Sequence, residues 1–207
     1  MKSNDWKRLV REATSSDVNL RFRKNLAYFP PIGRFLFGIE METMRDPRFL
    51  QIARVALPLF VPTDVVYGGQ NLRGPNGTII SASTEEVLGV VSAALRTDFD
   101  EEAELRQLVA RGRSIGNITS IERAAYSLFL LGATESARQS LDEALASPDL
   151  SVDQRDFVQK TRERMRTILQ FLQAGDTKAV SDQLESWTKV SLAHLGLQRP
   201  TLTGGTD

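Results

Sequence analysis

The second half of this 207-residue chain repeatedly carries the residues that start and stop helices. Between Ser83 and Gly196, successive segments begin at a capping residue, continue with apolar residues at helical spacing and end at Gly or Pro. The runs Ser83–Glu86, Thr119–Glu122 and Ser151–Gln154 each match a capping box, in which side chains satisfy the first free amides of a helix. Because the connections are short, neighbouring helices must run antiparallel. The sequence therefore predicts helical hairpins here.

The first 82 residues carry weaker signals. Apolar spacing and the following Pro30 predict one or two helices within residues 4–29, and Asp46-Pro47 predicts another that ends at Pro58. Residues 59–82 hold β-rich runs around a Gly-Pro-Asn-Gly turn, which predicts a hairpin or a small sheet. The expected fold is mainly α, with antiparallel helical hairpins or a bundle in the C-terminal half and a small β-hairpin insertion near residues 59–82.

No linker-like stretch separates the two halves of the chain. We therefore expect one compact unit, in which residues 1–82 form a helical segment with the small β insertion and residues 83–196 form the bundle of hairpins. The tail, residues 197–207, has no core residue after Leu202 and is expected to be mobile.

One predicted helical hairpin also has small and apolar residues at the fixed intervals of a known repeat. A small residue stands where two helices would cross, a Gly separates them, and apolar residues and a Pro follow at fixed intervals: Ala125, Gly132, Ala137, Leu141, Ala144 and Pro148. Residues 118–148 thereby resemble a tetratricopeptide repeat, although Ile121 and Leu128 replace the usual aromatic residues. The resemblance covers about one repeat. It implies that the chain binds a peptide or a partner protein on a concave face and carries out no catalysis.

The composition limits which metal sites and catalytic residues the chain can have. The chain has no Cys, a single His (His194) and a formal net charge of zero. Disulfides, thiolate metal sites and Cys nucleophiles are therefore excluded, and no complete catalytic motif is present. We expect no catalytic residues, no cofactor and no metal. No apolar run is long enough to span a membrane, so a soluble, cytoplasmic protein is expected.

Two basic segments are the best candidates for contacts with a partner. Arg155, Arg162 and Arg166 recur at intervals that place them along one stripe of a predicted helix. Phe22 and Arg23 lie near the start of a stretch of basic and aromatic residues, residues 21–37. Such side chains suit an acidic partner or a protein groove, but packing within the chain also explains them.

The leading hypothesis is a non-catalytic protein–protein interaction module, of an adaptor, chaperone-like or immunity-like kind, that uses a helical surface. Two alternatives remain open at the level of sequence. One is an enzyme that uses carboxylate, Arg and Tyr chemistry in a pocket. The other is a protein that binds nucleic acid or an anionic membrane surface through residues 21–37.

Overall fold

The computed structural model describes residues 1–14, 19–63, 66, 69–96, 99–147 and 155–197. Contacts divide the chain into two compact units. The first comprises Met1–Leu59, Thr63–Phe99 and Leu192–Asp207, and the second comprises Phe60–Pro62 and Asp100–Ser191.

The first unit is a sheet with helices. Its elements are α1 (Ser3–Ala13), β1 (Arg21–Arg23), β2 (Leu26–Tyr28), β3 (Phe35–Thr43), β4 (Phe49–Pro58), β5 (Gln70–Asn71), a 3-10 helix (Pro75–Gly77), β6 (Ile80–Ser81) and α2 (Thr84–Leu95). The strands pair antiparallel in the order β1-β2-β3-β4-β5, and β6 also pairs with β4. The sheet is thus larger than the small insertion that the sequence predicted, and it begins near residue 21.

The helix predicted after Asp46 is wrong, because this segment is the long strand β4. The amide of Arg48 donates to Asp46 Oδ1 over 3.0 Å, so Asp46 caps a turn between β3 and β4. Ile52 lies in one apolar core, whereas Val55 and Leu57 lie in another. A strand buried on both faces has a nearly continuous run of apolar residues. The spacing of apolar residues alone does not distinguish such a strand from a buried helix.

The prediction of helix is also wrong for the second half of residues 4–29. Residues 21–28 form the hairpin of β1 and β2, with Lys24 at a positive φ of 52° in the turn. Among the described residues of 59–82, β5 and β6 each pair with β4 and not with each other, so they extend the larger sheet where a β-hairpin or a small sheet was predicted. Residues 64–65 and 67–68, which fall within this predicted β-rich region, lie outside the described residues.

Both faces of the sheet are covered over part of their area. Helices α1 and α2 cover one face, where Trp6, Ile39 and Val91 are fully buried. On the other face, Leu36 and Leu57 pack with residues of the Leu192–Leu197 segment. Since Leu192 and later residues belong to the first unit, this core lies within that unit.

The second unit is helical, as the sequence predicts for the C-terminal half. Its described helices are α3 (Glu101–Ile115), α4 (Ile118–Leu130), α5 (Thr134–Ala146), α6 (Asp156–Gln173) and α7 (Thr177–His194), of which the end of α7 belongs to the first unit. Short turns at Gly132 and Gly175 join α4 to α5 and α6 to α7. At both, the glycine has a positive φ, and the next amide donates to a carbonyl five residues earlier. This Schellman arrangement ends the first helix of each hairpin.

The helix caps differ from the predicted boxes. Ser83 precedes α2 without a side-chain cap bond, and α4 is capped by Asn117, which accepts from the Ser120 amide over 2.8 Å. Asp100 caps α3 by accepting a hydrogen bond from the Glu102 amide. The box at Ser151–Gln154 lies outside the described residues.

A matched pair of glycine substitutions tests the packing of α3 on α4. A Cβ on Gly112 would overlap Ala124 Cβ, whereas one on Gly89 in α2 would meet nothing within 4 Å. We expect Gly112→Ala to lower the free energy of unfolding by about 1–3 kcal/mol. Gly89→Ala should raise it by up to about 1 kcal/mol through helix propensity. Urea unfolding measures both, and equal effects of the two substitutions would contradict the close packing.

Candidate functional site

Three helices of the second unit form a cleft of about 550 Å³. Helices α3, α4 and α5 line it through Val109, Gly112, Arg113, Gly116, Ile121, Ala124, Leu128, Ser136, Gln139, Ser140, Glu143, Ala144 and Ser147. The α4 residues form an apolar floor and the α5 residues form a mainly polar wall, whereas the α3 wall combines Val109 and Gly112 with Arg113.

The floor belongs to α4. Ile121, Ala124 and Leu128 recur at spacings of three and four, which places them on one face of that helix. Gly112 lets α3 come close to Ala124, and this close approach sets the position of the α3 wall.

The opposite wall is a polar stripe along α5. Ser136, Gln139, Ser140 and Glu143 lie on the face that borders the cleft. The Gln139 side chain donates to Glu143 Oε1 over 2.8 Å, within the helix itself. The stripe therefore offers hydroxyl, amide and carboxylate groups to anything in the cleft.

Charges of opposite sign stand on the two walls. Arg113 lies on α3 and Glu143 on α5, each near the C-terminal end of its helix. Among the described residues neither forms a salt bridge, whereas the nearby Arg106 pairs with Glu102 and Arg138 pairs with Glu135. Ile115, beside the cleft residue Gly116, keeps 58% of its surface exposed. The cleft thus has free charge on both walls and an exposed apolar side chain at one end.

The other side of α4 holds a buried ionic cluster. Glu122 has no exposed surface. Arg164 of α6 donates two hydrogen bonds to it, from Nε to Oε1 at 2.7 Å and from Nη2 to Oε2 at 2.8 Å. Tyr126 Oη donates to Glu122 Oε1 over 3.3 Å, and Arg164 Nη2 also reaches Thr161 Oγ1 at 3.0 Å. The Tyr126 ring lies 5.7 Å from the Trp187 ring of α7. This cluster fixes α4 to α6.

Burial and pairing with Arg164 shift the pKa of Glu122 in opposite directions. Burial raises the pKa of Glu122, and the hydrogen bonds and charge of Arg164 partly oppose that rise. Burial and the Glu122 charge raise the pKa of Tyr126 well above its usual range, so the phenol stays protonated and donates. The Glu122 charge therefore depends on Arg164 for its compensation.

The three predicted arginines do not form one exposed stripe on α6. Arg166 is exposed, but Arg162 is only 7% exposed, and its Nη1 atom is buried without a hydrogen-bond partner among the described residues. The Arg155 guanidinium lies over the Phe157 ring, 4.8 Å from its centroid. Arg164, which lies between Arg162 and Arg166 in the sequence, binds Glu122.

Phe22 and Arg23 lie on strand β1 of the first unit. Phe22 is half-buried against the core under α1, with the Arg11 guanidinium 5.0 Å from its ring centroid. Arg23 lies against Gly196, where a Cβ would be 3.3 Å from its Nη2 atom. A cation at this place interacts favourably with the carbonyl end of α7. Both side chains thus have contacts within the unit.

A second cleft, of about 680 Å³, lies in the first unit between α2 and the loop before the 3-10 helix. Arg73, Pro75, Glu85, Gly89 and Ala93 are among its lining residues.

In the described part of the chain, no group of three or more His, Cys, Asp or Glu residues could hold a metal ion. No described helix is both long and apolar enough to cross a membrane.

Comparison of the chain with protein-family models, with curated proteins and with solved structures finds no match in any of the three.

Sequence reasoning missed the cluster because it assigned Glu122 to a capping box. A signal was present, since Glu122 lies on the same side of α4 as Ala125, Tyr126 and Phe129 and so falls within an apolar face. The charged cleft residues Arg113 and Glu143 gave no comparable signal, because isolated charges on helices usually face solvent.

Removing Arg164 tests the cluster. Arg164→Met leaves Glu122 buried without a counter-charge, and we expect it to lower the free energy of unfolding by about 3 kcal/mol or more near pH 8. A buried carboxyl whose pKa is above its unfolded value binds more protons when folded. Stability then falls as pH rises through the interval between the two pKa values. The loss should therefore be smaller near pH 5 than near pH 8.

Arg106→Met, which breaks the exposed pair with Glu102, is the matched control and should cost less than about 0.5 kcal/mol at either pH. Urea unfolding at the two pH values checks both variants. If Arg164→Met behaves like Arg106→Met, the cluster does not fix α4.

Proposed function

We propose that the chain is a non-catalytic protein-interaction module that binds a helical segment of another protein in the cleft of α3, α4 and α5. The observation that carries the proposal is the apolar floor of α4, which lies between a mainly polar α5 wall and an α3 wall that carries Arg113. Grooves of this composition suit amphipathic helices, whose apolar residues recur every three or four positions.

The dimensions support a helical ligand. The α5 wall extends from Ser136 to Ser147, which at 1.5 Å per residue is about 16 Å, or about three helical turns. A ligand helix of that length presents three or four apolar side chains to one groove. The hairpin of α4 and α5 is also the segment whose residues resemble a tetratricopeptide repeat, a unit that binds peptides. The resemblance supports the same class of function.

The enzyme alternative has one attractive feature, the grouping of Glu122, Arg164 and Tyr126. However, Glu122 is fully buried, its two oxygens are occupied by hydrogen bonds, and it lines neither of the two clefts described above. A substrate would reach this carboxyl only if α4 separated from α6. The geometry favours a structural role for the cluster.

The alternative of nucleic-acid or anionic-membrane binding through residues 21–37 is also less favoured. Tyr28 and Phe35 are buried in the first unit, and Phe22 packs against a core. Base stacking needs aromatic faces that are open to the ligand. This stretch offers mainly charged side chains, and the chain has no net positive charge.

Selection from a displayed library of amphipathic helical peptides of about 16 residues tests the proposal. We expect wild type to enrich peptides with apolar residues at helical spacing. Ser140→Trp, which fills the cleft from the α5 wall, should weaken the best peptide at least about tenfold, since a helix cannot occupy the same volume.

Arg166→Trp adds the same indole to an exposed position of α6 outside the cleft and should leave affinity within about twofold. Circular dichroism confirms that both variants are folded, and fluorescence anisotropy gives the affinities. Equal binding by wild type and Ser140→Trp, or enrichment of no peptide, would contradict the proposal.

A further inference from the structure

The two walls of the cleft differ in charge, and this difference restricts which helices fit. The α3 wall carries Arg113, and the α5 wall carries Glu143. Both lie near the ends of helices that run parallel to each other, because α4 is antiparallel to each. A helix lying on the α4 floor would have one flank beside the guanidinium and the other beside the carboxylate.

Neither charge is neutralised by a salt bridge within the described part of the chain. The neighbouring ion pairs use other residues, Glu102 with Arg106 on α3 and Glu135 with Arg138 on α5. The Glu143 carboxylate accepts one hydrogen bond from the neutral Gln139 amide, which leaves its charge in place. Opposite charges left unpaired on facing walls are electrostatically complementary to a ligand that brings the reverse pair.

We propose, on the basis of the function proposed above, that the partner segment is an amphipathic helix with an acidic residue on one flank and a basic residue on the other. The acidic residue pairs with Arg113, and the basic residue pairs with Glu143. Arg113 and Glu143 are thus specificity-determining residues, and together they set the direction in which the helix lies in the cleft. A helix with two acidic or two basic flanks would meet a like charge on one wall.

Three fluorescein-labelled probes test this inference. Each is the best peptide from the selection described above, resynthesised with its flank positions as Glu and Lys, as Glu and Glu, or as Lys and Lys. Wild type should bind the mixed probe about three- to tenfold more tightly than either uniform probe, since each exposed charge pair contributes modestly. The preference should shrink at high salt, because exposed charges are screened.

Charge reversal on each wall gives the sharpest prediction. Arg113→Glu makes both walls acidic, so the preference should move to the Lys and Lys probe. Glu143→Arg makes both walls basic, so the preference should move to the Glu and Glu probe. The double variant Arg113→Glu/Glu143→Arg should again prefer the mixed probe, now bound in the reverse direction. Arg166→Glu on α6 is the matched control and should keep the wild-type order.

The failure of this inference is distinct from the failure of the proposed function. If the three probes bind wild type equally and charge reversal does not change their order, the charge assignment is wrong while helix binding stands. If no probe binds wild type, both are wrong. A preference that moves with the Arg166 variant but not with the two cleft variants would place the binding surface elsewhere on the second unit.

Discussion

The paired hydrogen bonds between Glu122 and Arg164 hold α4 in place, and the cleft depends on that helix. A carboxylate without exposed surface is costly unless a counter-charge and hydrogen bonds compensate it. Arg164 supplies both, and Tyr126 adds a third donor. The two hydrogen bonds form with good geometry only at one axial position and one rotation of α6 relative to α4. The pair therefore restricts the position of α4 more than apolar contacts alone would.

Helix α4 takes part in both the buried ionic cluster and the cleft. One face carries Glu122 and Tyr126 toward α6, and another carries Ile121 and Leu128 into the cleft. Close approach of Gly112 to Ala124 sets the distance to the α3 wall. The proposed binding surface is therefore preorganised by buried contacts, which lowers the entropic cost of binding a partner.

The helical second unit could be predicted from the sequence because its signals are local. Glycines such as Gly132 and Gly175 end helices through their own backbone conformation, and apolar spacing marks the buried faces. Strand β4 could not be predicted, because Ile52 and Val55 are buried on opposite faces by elements distant in the chain. The same limit applies to the site. Glu122, Arg164 and Arg162 are charged residues whose burial follows from helix packing, and sequence spacing does not reveal which helices meet.

Chemical-shift mapping of the isotope-labelled protein with the mixed-charge probe tests the central claim most directly, since it locates the bound helix without any substitution. The account predicts that the largest shifts fall on residues that line the cleft, among them Val109, Leu128 and Ser140. Residues on the exposed side of α6, such as Arg166, should change little. Shifts concentrated on α6 or on the sheet of the first unit would contradict the account.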